Sequence, residues 1–147
     1  MENNENIMRK IKIEKVVLSV GGIGDDLEKG VKLLSIITGR KPAKMISRKR
    51  IPSFGVRPKL EVGAVVTLRK NLKKFLEKML ATIDNTLKEK QISENNFSFG
   101  IKEYIEIPGI EYDREIGILG LDVTVVFIRS GKRTGLKKIK KGKVSKK

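Results

Sequence analysis

The chain contains no cysteine, no histidine and no tryptophan, and aromatic residues make up only 5% of it. Without cysteine there is neither a disulfide nor thiolate chemistry, and no redox compartment to infer. Without histidine as well, the usual zinc ligands and the usual general base are missing. The shortage of aromatics argues against base stacking as the main mode of any contact with single-stranded nucleic acid. No run of about 18 apolar residues occurs, so no membrane span is expected. The opening "MENNENIMRK" lacks the apolar core of a signal peptide, which makes the cytoplasm the expected location. These absences exclude much enzymology, and no cofactor is called for.

What is present is charge of one sign, unevenly placed. At 147 residues, 39% hydrophobic and 34% charged, the chain suits one globular domain with a real core. The formal net charge is +16. From Arg40 to Lys59 there are eight Lys/Arg and no Asp/Glu, and from Arg129 to Lys147 there are ten and again none. The remainder holds 15 basic and 17 acidic residues, so the body is nearly neutral and two segments carry the excess. Two concentrated patches on a neutral body read as docking surfaces for a polyanion, with nucleic acid favoured over a membrane surface or an acidic partner. Neither patch forms an amphipathic helix with a bulky apolar side, which a membrane reading needs.

Hydropathy patterning gives the elements. "IKIEKVVLSVG" (Ile11 to Gly21) reads as a strand. The next segment reads as a helix, with Asp25 as cap, Glu28 three residues on, and Leu27, Val31, Leu34 and Ile37 on one face. Gly39 supplies a left-handed stop and Pro42 prevents resumption. "AKMIS" and "GAVVTLR" are two further strands, separated by the basic loop "SRKRIPSFGVRPK". "NLKKFLEKMLATIDNTLKEK" reads as the clearest helix, capped by Asn71, its apolar stripe running through Leu72, Phe75, Leu76, Met79, Leu80, Ile83 and Leu87. "NFSFGIKEYIEIPGI" reads as punctuated extended chain and "GLDVTVVFIRSG" as a late strand. From Ser130 the tail has almost nothing to bury and reads as disordered until bound. The fold class expected is α+β, a mostly antiparallel sheet with two helices on one face and the other face open for a ligand.

Two motifs invite chemistry and do not carry it. In "VLSVGGIGDDLEKG" the pair Gly22 and Gly24 begins a dinucleotide fingerprint, but Leu27 stands at the third glycine position. Asp25 and Asp26 would oppose a pyrophosphate, and no ribose-reading acid follows at the right distance. The acid run Glu103, Glu106, Glu111, Asp113 and Glu115 is broken by Pro108-Gly109, and a solvated face serves it better than a metal site.

Five phrases, "KIEKVVLSVGGIG", "ITGRKPAK", "FGVRPKLEVGAVVTLR", "NFSFGIKEYIEIPGIEYD" and "GLDVTVV", occur in an order and spacing that resemble one family. That family is universal ribosomal protein five of the large subunit, the 5S rRNA-binding protein, in its archaeal-type form. The likeness runs from about Asn6 to about Arg133. It implies a five-stranded antiparallel sheet with helices on one side and an open face that grips 5S rRNA in the central protuberance. It further implies a loop between the second and third strands that reaches the peptidyl-site tRNA and an intersubunit bridge to small-subunit protein thirteen. Large-subunit rRNA and neighbouring central-protuberance proteins are the other partners implied.

Carried onto this chain, the resemblance makes Thr67, Ser19 and Arg40 the polar positions of the RNA face. Ser19 stands where the family usually has asparagine and Arg40 where it often has glutamine; serine still donates and accepts, whereas arginine only donates. Lys41 and Arg69 join the same group, and Met8 and Arg9 come from "NIMR", which resembles the family's "NPMR". The loop candidates are Arg48, Lys49, Arg50, Ser53, Phe54, Gly55, Arg57 and Lys59, with Phe54 either an exposed tip or a local anchor. Tail candidates for rRNA are Arg129, Lys132, Arg133, Lys137 and Lys138. Residues 1–133 are expected to form one RNA-binding domain and 134–147 a basic tail. An RNA-binding module or chaperone acting off the ribosome stays open, as does a small enzyme acting on nucleic acid through the acid run with Mg²⁺-dependent turnover, disfavoured by the missing histidine and cysteine.

Overall fold

In a computed structural model of the chain, which describes residues 10–143, five strands form one sheet. The order along the chain is β1 (Ile11–Gly21), α1 (Asp25–Thr38), β2 (Ala43–Ile46), β3 (Glu61–Leu68), α2 (Leu72–Ala81), β4 (Asn96–Ile101), β5 (Leu121–Arg129) and α3 (Lys132–Leu136). The strands lie in the order β2-β3-β1-β5-β4, and every neighbouring pair is antiparallel. The α+β expectation is met.

Alternation decides the two faces. In β1, Val16, Leu18 and Val20 are buried, and their partners Leu68, Val66, Ala64, Val123 and Val125 are buried with them. Against this face lie α1, through Leu27, Leu33 and Leu34, and α2, through Met79. Val17 and Ser19, one residue out of phase, belong to the other face. The sheet therefore has one dry side and one that stays wet, as antiparallel sheets allow.

The start of α1 differs from the capping expectation. The cap position belongs to Gly24, at φ 62 and ψ −124, a conformation that only glycine adopts cheaply. Its carbonyl accepts from the N–H groups of Leu27 (3.1 Å) and Glu28 (3.3 Å). Asp25 is the first helical residue; with Asp26 and Glu28 it puts carboxylates at the positive end of the helix dipole. The stop is as expected, with Gly39 left-handed and its N–H donating to the Ser35 carbonyl at 2.8 Å. Inside the helix, a Cβ on Gly30 would lie 2.8 Å from Val20 Cγ1, so this glycine lets α1 ride directly on β1.

The second helix is shorter than its apolar stripe. It ends at Ala81, and Asp84 and Asn85 follow at φ 52 and φ 54. Aspartate and asparagine tolerate that region better than other side chains, and the Asn85 N–H closes the turn on the Leu80 carbonyl at 3.0 Å. Ile83 and Leu87 still pack on the core, but from a turn and a loop. Asn71 does stand at the start of α2, left-handed at φ 55 and without a side-chain capping bond.

In the acid run Glu103, Glu106 and Glu111 are exposed, while Asp113 and Glu115 help strap the segment to the fold. Tyr104 is buried, and its hydroxyl accepts the Asp113 N–H at 2.9 Å. The Asp113 carboxylate accepts the Glu115 N–H at 2.9 Å, and Glu115 pairs with Lys32 of α1 at 2.7 Å. That hydrogen bond, and then the charge of Glu115, raise the Lys32 pKa above the ordinary lysine value.

Candidate nucleic-acid interface

The wet face of the sheet is a row-by-row consequence of register. Thr67, Val17, Thr124 and Ser98 stand abreast across β3, β1, β5 and β4. Val65, Ser19, Asp122 and Gly100 form the next row. Strands lie about 4.8 Å apart and successive rows about 7 Å apart, so these small side chains make one flat, rigid patch. Four hydroxyls, one carboxylate and one bare glycine are the chemistry it offers. Ser19, Ser98, Gly100, Asp122, Thr124 and Gln91 outline a shallow hollow of about 360 Å³.

Cations stand at both ends of the strands. The chain between β2 and β3 leaves the sheet where Gly21 pairs with Gly63, whereas the tail leaves β5 where Arg129 pairs with Ile11. The loop between β2 and β3 and the tail are thus separated by the length of β1, about 35 Å at roughly 3.3 Å per residue, while Arg40 and Lys41 precede β2 at its other end, where Ala43 pairs with Val65. Of the eight cations from Arg40 to Lys59, only Lys44 has an ion-pair partner among the described residues, Glu61 at 2.8 Å. The hydrogen bond to Glu61, and then its charge, raise the Lys44 pKa. The other seven are exposed and available to an anion.

The basic segment is a built arm. The Ser47 N–H donates to the Leu60 carbonyl at 2.8 Å, the Lys59 N–H returns to the Ser47 carbonyl at 2.9 Å, and Ile51 bridges to Val56. At the tip Pro52–Phe54 make one tight turn, closed by left-handed Gly55 whose N–H donates to the Pro52 carbonyl at 3.0 Å. Phe54 is 72% exposed while Val56 is 7% exposed. The exposed-tip reading of Phe54 holds, and the inward anchor is Val56.

Residues 6–57 match the family model Ribosomal protein L5, and residues 61–144 match the model of that ribosomal family's C-terminus. The Large ribosomal subunit protein uL5 of Nanoarchaeum equitans is 43% identical, over 95% of this chain and 85% of its own. Its counterpart in Sulfurisphaera tokodaii is 42% identical, over 96% of this chain and 82% of its own. That of Archaeoglobus fulgidus is 39% identical, over 97% and 82%. The chain belongs to the ribosomal protein L5 family, in its archaeal type. As an L5-family member it is a structural ribosomal protein and not an enzyme.

Within this L5 fold the sequence-derived residues fall into distinct places. Ser19 and Thr67 are diagonal neighbours on the wet face. Arg69 stands exposed just past the end of β3, and Arg40 and Lys41 lie exposed beyond Gly39, near the β2 edge. The arm residues Arg48, Lys49, Arg50, Ser53, Arg57 and Lys59 are all exposed at the far end from the tail. In the tail, Arg133, Lys137 and Lys138 are exposed, Lys132 is half-buried, and Arg129 is half-buried and already engaged within the fold. The tail opens with the short α3, a departure from a wholly structureless reading, yet Leu136 and Ile139 project without joining the core. Met8 and Arg9 lie outside the described residues. Ser98, Asp122 and Thr124 were missed. The signal was there in the alternation Phe97-Ser98-Phe99 and Leu121-Asp122-Val123-Thr124-Val125, whose polar members had to face away from the core.

Proposed function

We propose that this L5-family chain binds 5S rRNA in the large ribosomal subunit through the wet face of its sheet. The observation that carries the reading is the hydroxyl-bearing flat patch lying between two poles of cations. The tail cations, with Arg40, Lys41 and Arg69 beside the sheet, supply attraction without sequence, because each Lys or Arg that meets a phosphate releases counterions. The patch supplies selectivity for folded RNA, since serine and threonine hydroxyls both donate to and accept from a 2′-OH or a base edge. The cytoplasmic ribosome is the corresponding location, with other large-subunit rRNA and central-protuberance proteins as neighbours.

The arm serves a second purpose in this reading, reaching the peptidyl-site tRNA and small-subunit protein thirteen. Its position at the end of the sheet and the outward Phe54 support that division of labour. Residues 1–133 act as the RNA-binding domain, and 134–147 as a basic tail that lies along rRNA.

The test is a filter-binding or calorimetric titration with 5S rRNA. Combining Ser19→Ala with Thr67→Ala should weaken binding while the circular dichroism spectrum and melting temperature stay those of the parent. Unchanged affinity would remove the proposed face.

A further inference from the structure

One group on the wet face does not fit a surface built for phosphate. Asp122 sits abreast of Ser19 on one side and Gly100 on the other, and it is exposed. The ion pairs among the described residues are Lys29–Asp26, Lys32–Glu115 and Lys44–Glu61, so no lysine or arginine among them neutralises it. A carboxylate is an acceptor only, and it repels a phosphate. In a chain of net charge +16, a bare carboxylate at this place needs a partner that donates.

RNA offers two kinds of donor to a flat protein surface: ribose 2′-hydroxyls, which also accept and which serine and threonine can meet, and base amino groups, which only donate and so match a carboxylate. The sheet is too broad to enter the deep, narrow major groove of an A-form helix, where the adenine 6-amino and cytosine 4-amino groups lie. It can meet the wide, shallow minor groove, whose edges display 2′-hydroxyls, base acceptors and a single base donor, the 2-amino group of guanine. Hydroxyls for the first two classes surround Asp122 at Ser19, Ser98 and Thr124. Gly100 leaves the adjoining floor bare, and a Cβ there would lie 3.2 Å from Asp122 Oδ1.

We propose that Asp122 is a specificity-determining residue, its carboxylate accepting a hydrogen bond from the 2-amino group of a guanine presented in a minor groove over the hollow between Ser19, Ser98 and Thr124. This rests on the reading that the wet face binds 5S rRNA. Asp122 also fixes register on the duplex, because phosphates are excluded from its surroundings and are drawn toward the cations at the strand ends.

The experiment uses the full chain and 5S rRNA in which guanines are replaced one region at a time by inosine, which lacks only the 2-amino group. Asp122→Ala should bind normal 5S rRNA on the order of 10- to 100-fold more weakly, the range for a hydrogen bond to a charged group. One inosine position should weaken the parent by a comparable factor and leave Asp122→Ala unchanged. The slope of affinity against salt should be the same for both proteins, since no phosphate contact is altered. Gly100→Ala, which crowds the carboxylate, should show a smaller loss at the same guanine.

Tighter binding by Asp122→Ala would mean that the carboxylate only repels phosphates, and the guanine assignment would be wrong. Equal inosine sensitivity in parent and variant would overturn it too. In either case, continued weakening by the Ser19/Thr67 pair would show that the face itself still binds 5S rRNA. If the parent fails to bind 5S rRNA, the proposed function fails and this inference with it.

Discussion

Replacing Gly30 by alanine sets two physical effects of opposite sign against each other. Alanine is the better helix former by about 1 kcal/mol, so propensity alone makes Gly30→Ala stabilising. The new methyl, however, would lie 2.8 Å from Val20 Cγ1 and 3.3 Å from Val20 Cβ. Carbon atoms rest about 3.5–4.0 Å apart, so the overlap approaches about 1 Å. Val20 is only 3% exposed, and its branched side chain has few rotamers in which to retreat. Overpacking of this kind costs about 1–3 kcal/mol, which outweighs the propensity gain. The expected net effect is destabilisation by about 1 kcal/mol, read as a fall in the urea midpoint at unchanged slope. In a chain of this length that corresponds to a melting temperature lower by roughly 2–4 °C. A double-mutant cycle isolates the cause: in a Val20→Ala background the same Gly30→Ala change should be neutral or stabilising. If Gly30→Ala is as stable as the parent with Val20 intact, the close approach of α1 to β1 does not limit this position.

Neutralising Arg48, Lys49, Arg50 and Arg57 to glutamine should leave 5S rRNA affinity and its salt slope within error of the parent, while tRNA- or bridge-dependent steps suffer. If those four cations met 5S rRNA phosphates, the slope would drop by about 3 instead. Tyr104→Phe removes the hydroxyl that accepts the Asp113 N–H and should cost about 1–2 kcal/mol in denaturant titration, since that donor is left without its partner. The Lys32–Glu115 and Lys44–Glu61 pairs raise the lysine pKa values on folding, so their contribution is complete below the unfolded lysine value and fades only as pH rises through the folded one. With no histidine in the chain, stability and 5S rRNA affinity should therefore be flat between about pH 6 and 9, as a melting series and a binding series would check.

Local pattern reached a long way into this fold. Period-two and period-3.6 spacing located β1, α1, β3 and β5, because burial of one face imposes those periods whatever the neighbours are. The same logic overran α2: Ile83 and Leu87 keep the helical spacing because they pack on the core, but an apolar stripe records burial and not backbone conformation. At the other helix, Asp25 and Glu28 matched a capping box, yet the turn was taken by Gly24, whose positive φ no side-chain signal advertises.

The two cation-rich segments, the absence of histidine and cysteine, and the phrases shared with the L5 family were all determined by the sequence alone, since charge, chemistry and ancestry are carried residue by residue. Which polar groups meet was decided only by tertiary structure. Ser19, Asp122 and Gly100 come from three strands far apart in the chain, and antiparallel register alone puts them abreast. A slip of one residue would have turned Asp122 into the core and left the face without its carboxylate. Likewise, composition could count the cations, but only the sheet's connectivity sends the arm and the tail to opposite ends of the strands, leaving the hydroxyl face between them.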